Sequence, residues 1–108
     1  MKKPVTHITT KNVFADLGLP DADELQAKSA LVHQITSIID SRKLTQVEAA
    51  NLLGIDQPKI SNLVRGRLEG FSTERLFRFL LTLGYDIDIT VKQRPSKTKH
   101  SEIRVHAA

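Results

Sequence analysis

Residues 44–66, which read LTQVEAANLLGIDQPKISNLVRG, constrain the fold of this chain more than any other stretch. Thr45 followed three residues later by Glu48 has the spacing of a capping box, in which each side chain accepts a backbone N–H of the other residue at the start of a helix. Gly54 can adopt the left-handed backbone conformation that ends many helices. We therefore predict a short helix between Thr45 and Gly54. The residues expected on its inward face are Val47, Ala50 and Leu53.

A second short helix is predicted directly after Gly54. Asp56 can cap its N-terminus, and Pro58 is tolerated in the first turn because the amide it lacks would have no helical partner there. Gly66 can end this helix as Gly54 ends the first. Its expected inward residues are Ile60, Leu63 and Val64. Two helices joined by three residues, with the small Ala50 allowing their axes to approach, form a helix-turn-helix pattern.

The polar residues of the second helix are of types that read DNA. The outward-facing residues are expected to be Gln57, Pro58, Lys59, Ser61, Asn62 and Arg65. Gln and Asn can pair bidentately with adenine, and Lys can reach the acceptors of guanine, in a major groove wide enough for a helix. We predict base contacts from Gln57, Lys59 and Asn62. The alternative is an ordinary helical hairpin whose polar face is simply solvated.

Phosphate contacts are predicted around the same helix. Ser and Arg side chains near a recognition helix typically hold the DNA backbone in register, which favours Ser61, Arg65 and Arg67. Arg75 and Arg78 follow a little later, and for them a phosphate contact and a solvated face are equally consistent with the sequence.

Two further helices complete the predicted bundle. A long helix starts at Asp21, and its apolar stripe is expected to contain Leu25, Leu31, Val32, Ile35, Ile38 and Ile39. Another begins after Ser72 and ends before Gly84, and its apolar residues cover an arc of roughly 200°, against roughly 100° for a helix that packs on one core. Part of this arc therefore predicts a second contact, outside the protomer's own core.

Residues 86–92, DIDITVK, alternate apolar and polar side chains and predict a half-buried strand. A strand needs a partner, which is either the same strand of a second protomer or residues 5–9 of this chain. In the first case the predicted dimer contacts are Phe79, Leu83, Ile87, Ile89 and Val91. A twofold dimer would set its recognition helices about 34 Å apart, so that each protomer reads half of a palindromic operator.

The fold class is thus mainly α: a helix-turn-helix bundle of four to five helices with one C-terminal β-strand. The predicted organisation is an N-terminal arm with one helical turn in residues 1–20, the DNA-binding domain in residues 21–92 and a disordered basic tail in residues 93–108. The formal net charge of +4 favours polyanionic partners.

Composition also excludes several classes of protein. There are no cysteines, no apolar run near the roughly 18 residues of a membrane span and no secretory signal. We expect a cytoplasmic protein, associated with the nucleoid. The four histidines, His7, His33, His100 and His106, lack the spacing of zinc ligands. With no phosphate-binding glycine loop and no catalytic triad, neither a metal, a cofactor nor an enzymatic activity is predicted.

The motif TQVEAANLLGIDQPKISNLVRG resembles the Cro and cI repressors of phages, the xenobiotic-response-element (XRE) family, across roughly residues 25–84. The resemblance implies a lambda-repressor-like fold. It also implies that Gln46 braces the DNA backbone, that Gln57 and Asn62 read bases, and that Lys59 touches a base or a phosphate. Pro58 departs from the polar residue common at its position in that family, which leaves it only an apolar contact, such as one with a thymine methyl group.

The flanking segments NVFADLGLPDADELQAKSAL and RGRLEGFSTERLFRFLLTLGYDIDI resemble the antitoxin branch of the family, of the host-inhibition-of-growth type. This resemblance implies that the protein neutralises a small ribonuclease toxin and represses their shared operon as a homodimer. The predicted toxin contacts are Phe14, Leu17 and Asp21, although helix capping and local packing explain the same residues. The alternatives are a stand-alone phage-type regulator and an interaction module whose main task is toxin binding.

Overall fold

The computed structural model describes residues 21–94 and 103–107 of the chain, with side chains from Glu24 onward. This part contains four helices: α1 (Asp21–Ser41), α2 (Gln46–Leu53), α3 (Gln57–Val64) and α4 (Thr73–Thr82). The predicted mainly helical bundle is confirmed for the described residues. The predicted arm in residues 1–20, including the strand partner at residues 5–9, lies outside them.

Each of the last three helices begins where the sequence predicts a cap. Thr45 and Glu48 form both bonds of the capping box, at 2.9 Å and 3.1 Å. Asp56 caps α3, and the Oγ of Ser72 accepts the Arg75 N–H at 3.2 Å to cap α4. These side chains satisfy amides that have no intrahelical partner, so the three helix starts are set locally.

The core lies between α1 and the three shorter helices. Helix α1 packs against α3 and α4, and α2 packs against the same two helices. The largest side chains that are buried completely are Ile35, Ile60, Leu63 and Leu76, one from each of α1 and α4 and two from α3. Helix α3 is therefore fixed to the core by two large side chains.

Two residues expected in the core are exposed instead. Val47 is 52% exposed, and Ala49 is buried in its place. Helix α2 turns its small side chains inward, because two alanines allow a closer approach to its neighbours than a valine would. Leu25 is 55% exposed; it lies in the second turn of α1, and the buried residue of that turn is Ala27.

Arg42 joins the ends of α1 and α4. Its Nη2 donates to the Leu83 carbonyl oxygen at 2.6 Å, and its guanidinium lies 5.8 Å from the centre of the Tyr85 ring. The last carbonyls of a helix lack intrahelical donors, so Arg42 supplies one across 41 residues of sequence. The chain that leaves α4 is thereby held against α1.

Residues 86–92 do not form a strand within the described part of the chain, apart from an isolated β-bridge at Thr90. The apolar residues of this segment differ in burial: Ile87 packs against the core, Ile89 is half-buried and Val91 is 59% exposed. The predicted strand is therefore not confirmed, and its pairing stays a prediction.

One residue of the predicted C-terminal tail contacts the core, and the predicted disorder of the tail stays a prediction. Val105 is partly buried against the hydrophobic core, a contact that the polar composition of residues 93–108 gives no reason to expect. Residues 95–102 lie outside the described part. In the described residues, no helix is long and apolar enough to cross a membrane.

Candidate nucleic-acid interface

Helix α3 carries the predicted base-reading residues, and Asp56 is its N-cap. The Oδ1 of Asp56 accepts the Lys59 backbone N–H at 2.9 Å, while Pro58 occupies the first turn, where it removes no helical hydrogen bond. The preceding turn is set by Gly54, whose φ of +70° is left-handed. The Ile55 N–H then donates back to the Ala50 carbonyl at 3.0 Å, so α3 leaves α2 in a defined direction.

The rotation of α3 about its axis is set by two side chains. Ile60 and Leu63 are both 0% exposed, and on a helix residues three apart lie on the same face. The opposite face must therefore point to solvent. Among the predicted base contacts, Gln57 and Lys59 are exposed and Asn62 is half-exposed.

The predicted phosphate contacts flank this face. Gln46, Arg65 and Arg67 are exposed, and Ser61 is half-exposed. Gln46 is the first residue of α2, next to the capping box at Thr45. No predicted DNA contact is buried, and the polar side of α3 is not covered by other described residues of the protomer.

The loop after α3 is tied to the helix by backbone hydrogen bonds. The Arg65 N–H donates to the Ser61 carbonyl at 3.2 Å, and the Arg67 N–H donates to the Asn62 carbonyl at 2.9 Å. Gly66 between them has a φ of +74°, a conformation that suits glycine. The two arginines therefore extend from a defined turn adjoining the recognition face, where their charges attract phosphates.

Glu48 is the acidic residue nearest this end of α2. The backbone N–H and the hydroxyl of Thr45 both hydrogen-bond to its carboxylate and lower its pKa below the ordinary value. The carboxylate therefore stays ionised and stays in the capping box. Gln46 is the other polar side chain of the first turn, and it is exposed.

Comparison with known proteins agrees with this geometry. A family model described as a helix-turn-helix domain matches residues 13–92. The chain belongs to this helix-turn-helix domain family. A solved structure titled as an XRE-family transcriptional regulator is 43% identical, with a TM-score of 0.78, over 82% of this chain and 100% of that one. No curated protein matches the chain.

The helix-turn-helix domain does not bring all predicted sites together. Phe14 and Leu17, predicted to bind a toxin, lie outside the described residues, as does the side chain of Asp21. No group of three or more potential metal ligands occurs in the residues that the structure describes. His33 and His106 are exposed on its surface.

Two of the five predicted dimer contacts are buried within their own protomer, while the dimer itself stays a prediction. Phe79 and Leu83 are only 5% and 2% exposed, because both pack in the core of their own protomer, and this leaves them little surface for a second one. The exposed apolar side chains near the end of α4 are Leu81 and Tyr85, at 54% and 45%. Helical periodicity gives an apolar arc, but it does not decide which part of that arc the core uses.

Arg75 and Arg78, for which the sequence is equally consistent with a phosphate contact and a solvated face, have different surroundings in the structure. Arg75 is half-buried, and its guanidinium carbon lies 5.6 Å and 5.7 Å from the ring centres of Phe71 and Phe79. Arg78 is paired with Glu74 at 2.8 Å. Both arrangements follow i,i+4 spacings that are visible in the sequence: Glu74 precedes Arg78 by four residues, and Phe71 and Phe79 lie four residues before and after Arg75.

Proposed function

We propose that this chain is a DNA-binding transcriptional regulator that places α3 in the major groove. The observation that carries the proposal is the two-sided character of this helix. Ile60 and Leu63 are buried completely, while Gln57, Lys59 and Asn62 remain accessible. A polar helix face held rigidly at the surface is what direct readout of base edges requires.

The side chains have separate tasks in the proposed complex. Gln57 and Asn62 read adenine through bidentate hydrogen bonds, and Lys59 donates to the acceptors of guanine. The phosphate contacts come from Gln46, Ser61, Arg65 and Arg67. Base contacts supply sequence preference, whereas phosphate contacts supply register and a salt-dependent affinity.

The test asks whether the preference for one DNA sequence is lost while the fold of the protein is unchanged. A binding site is selected from random duplexes, and the variant carrying Gln57→Ala and Asn62→Ala is compared with the wild type on that site and on a scrambled duplex. Each lost bidentate contact removes about 1 to 3 kcal/mol of discrimination, so the variant should bind both duplexes alike, with the wild-type salt dependence. Gln26→Ala, an exposed change on α1, is the matched control. Retained preference in the double variant would refute the assignment.

We further propose that the regulator represses as a homodimer on a palindromic operator. Support comes from the exposed apolar side chains Leu81, Tyr85 and Val91, which occur on and after the last helix. Covering them with a second copy would remove apolar surface from water. Leu81→Asp should yield a monomer in light scattering and weaken binding to a two-half-site duplex. A variant that stays dimeric would place the interface elsewhere.

The antitoxin role is a further proposal. It is supported by the four carboxylates in residues 16–24, a stretch without basic residues, which would complement a ribonuclease with a cationic RNA-binding cleft. A neighbouring reading frame for a small basic protein, and its co-purification with this chain, would support the role. Loss of that co-purification on Phe14→Ser and Leu17→Ser would assign the contact to these residues. Absence of such a partner would favour the stand-alone regulator over both the antitoxin and the interaction module.

A further inference from the structure

We propose that Arg75 binds a DNA phosphate in a groove between the helix-turn-helix connection and α4. This inference rests on the proposed DNA-binding function and extends it by a backbone contact outside the recognition helix. The groove has a volume of about 250 Å³. It is lined by Leu53, Gly54, Ile55, Arg75, Arg78, Phe79 and Thr82. No carboxylate is among these residues, so the groove is cationic.

Arg75 is held in place by aromatic rings. Phe71 and Phe79 pack edge to face, with their ring centres 6.1 Å apart and their planes at 72°. The guanidinium of Arg75 lies within 6 Å of both rings, the range in which a cation is attracted to the face of a ring. These contacts restrict the side chain before any ligand arrives, which reduces the entropy lost on binding.

The charge of Arg75 is not compensated by a carboxylate of the described residues. Among the ion pairs of the described residues, none involves Arg75, and Glu74, its neighbour in sequence, is paired with Arg78 at 2.8 Å. Arg78 also lines the groove, but its side chain is 72% exposed and its charge is already compensated. Arg75 is therefore the cation of the groove that lacks an anion.

The position of the groove favours DNA as the source of that anion. Ile55, which lines it, precedes Gln57 by two residues, so their Cα atoms are at most about 7.6 Å apart. The major groove is about 12 Å wide. A helix in its centre therefore has phosphates on each side at a distance similar to that between Ile55 and Gln57. The planar, five-donor guanidinium of arginine suits a phosphate better than the point charge of lysine does.

The salt dependence of binding tests this assignment. Arg75→Met keeps an apolar stem against the rings and removes the charge; Lys43→Met, which removes an exposed charge outside the groove lining, is the matched control. Binding of a fluorescent duplex carrying the selected site is measured from about 50 to about 200 mM NaCl, and each lost phosphate contact should reduce the slope of log K against log salt by about 0.9 per protomer. We expect this reduction, with roughly tenfold weaker binding per protomer, for Arg75→Met but not for Lys43→Met.

A purely structural role for Arg75 predicts a different result. It would lower the melting temperature of Arg75→Met and the active fraction, but it would leave the salt slope of the folded protein unchanged. Equal slopes for wild type and Arg75→Met, or equal reductions for the two variants, would overturn the proposal. Arg75→Lys, which keeps the charge, should retain most of the slope. If the wild type fails to bind any duplex, the DNA-binding function itself fails, an outcome distinct from these.

Discussion

Replacing Gly54 with alanine isolates the contribution of the turn that aims the recognition helix. An added Cβ would meet no atom within 4 Å, so the effect comes from the backbone and not from a steric clash. At its φ of +70° an L-residue costs about 1 to 2 kcal/mol. Alanine also reduces the freedom of the unfolded chain, which returns about 0.4 to 1 kcal/mol. The net expectation is a loss of about 1 kcal/mol, or a melting temperature lower by about 4 to 8 °C.

Urea and thermal denaturation, followed by circular dichroism, measure this effect, and Lys43 supplies a matched control. Lys43 lies two residues after the end of α1 and has a φ of +56°, the only positive φ of a non-glycine residue in the described chain. Lys43→Gly should therefore leave stability equal or higher, while Gly54→Ala lowers it. Gly54→Asn should lie between wild type and alanine, because asparagine tolerates this conformation. A neutral or stabilising Gly54→Ala would refute the assignment of the turn's stability to its left-handed backbone.

Three more expectations concern the fold that presents the site. Ile60→Ala should lower the free energy of unfolding by about 2 to 5 kcal/mol, measured in urea, and a smaller loss would mean that α3 is held by other contacts. Because hydrogen bonds from Thr45 lower the pKa of Glu48, the stabilisation by Glu48 is fully present above its unfolded pKa and is lost as the pH falls through its lower, folded pKa. Glu48→Gln should therefore flatten the loss of stability as the pH falls below the ordinary pKa of glutamate. Arg42→Met should cost about 1 kcal/mol and alter the emission of Tyr85, the single tyrosine of a chain without tryptophan; unchanged emission would argue against their contact in solution.

The helix boundaries were predictable because they depend on neighbouring residues. Thr45, Asp56 and Ser72 each cap a helix through the amide three residues later, and this spacing can be read directly from the sequence. The accessible face of α3 was predictable for a related reason, since Ile60 and Leu63 were its clearest apolar positions.

The burial of α2 was harder to predict, because eight residues support two apolar faces. A face through Val47, Ala50 and Leu53 and one through Ala49, Ala50 and Leu53 differ by one position. Hydrophobicity favours the first, but close packing with two neighbouring helices favours the second, which the structure has. That choice depends on the neighbouring helices and not on α2 alone.

Long-range contacts of charged side chains were not predictable at all. Nothing in the sequence relates Arg42 to the carbonyl of Leu83, 41 residues away. Such contacts require the tertiary structure that brings the helices together. The burial of Phe79 and Leu83 within the protomer depends in the same way on the packing of several helices, and the predicted dimer stays a prediction.

The cap of α3 also limits the path of bound DNA. A helix N-terminus often serves as an anion site, because its amides and dipole attract negative charge. At α3 that place is taken by the carboxylate of Asp56, which already accepts the Lys59 amide. A phosphate of bound DNA would therefore be held by cationic side chains beside the helix, and not by the amides at its N-terminus. One aspartate thus both starts the helix and takes the anion site that a phosphate would otherwise use.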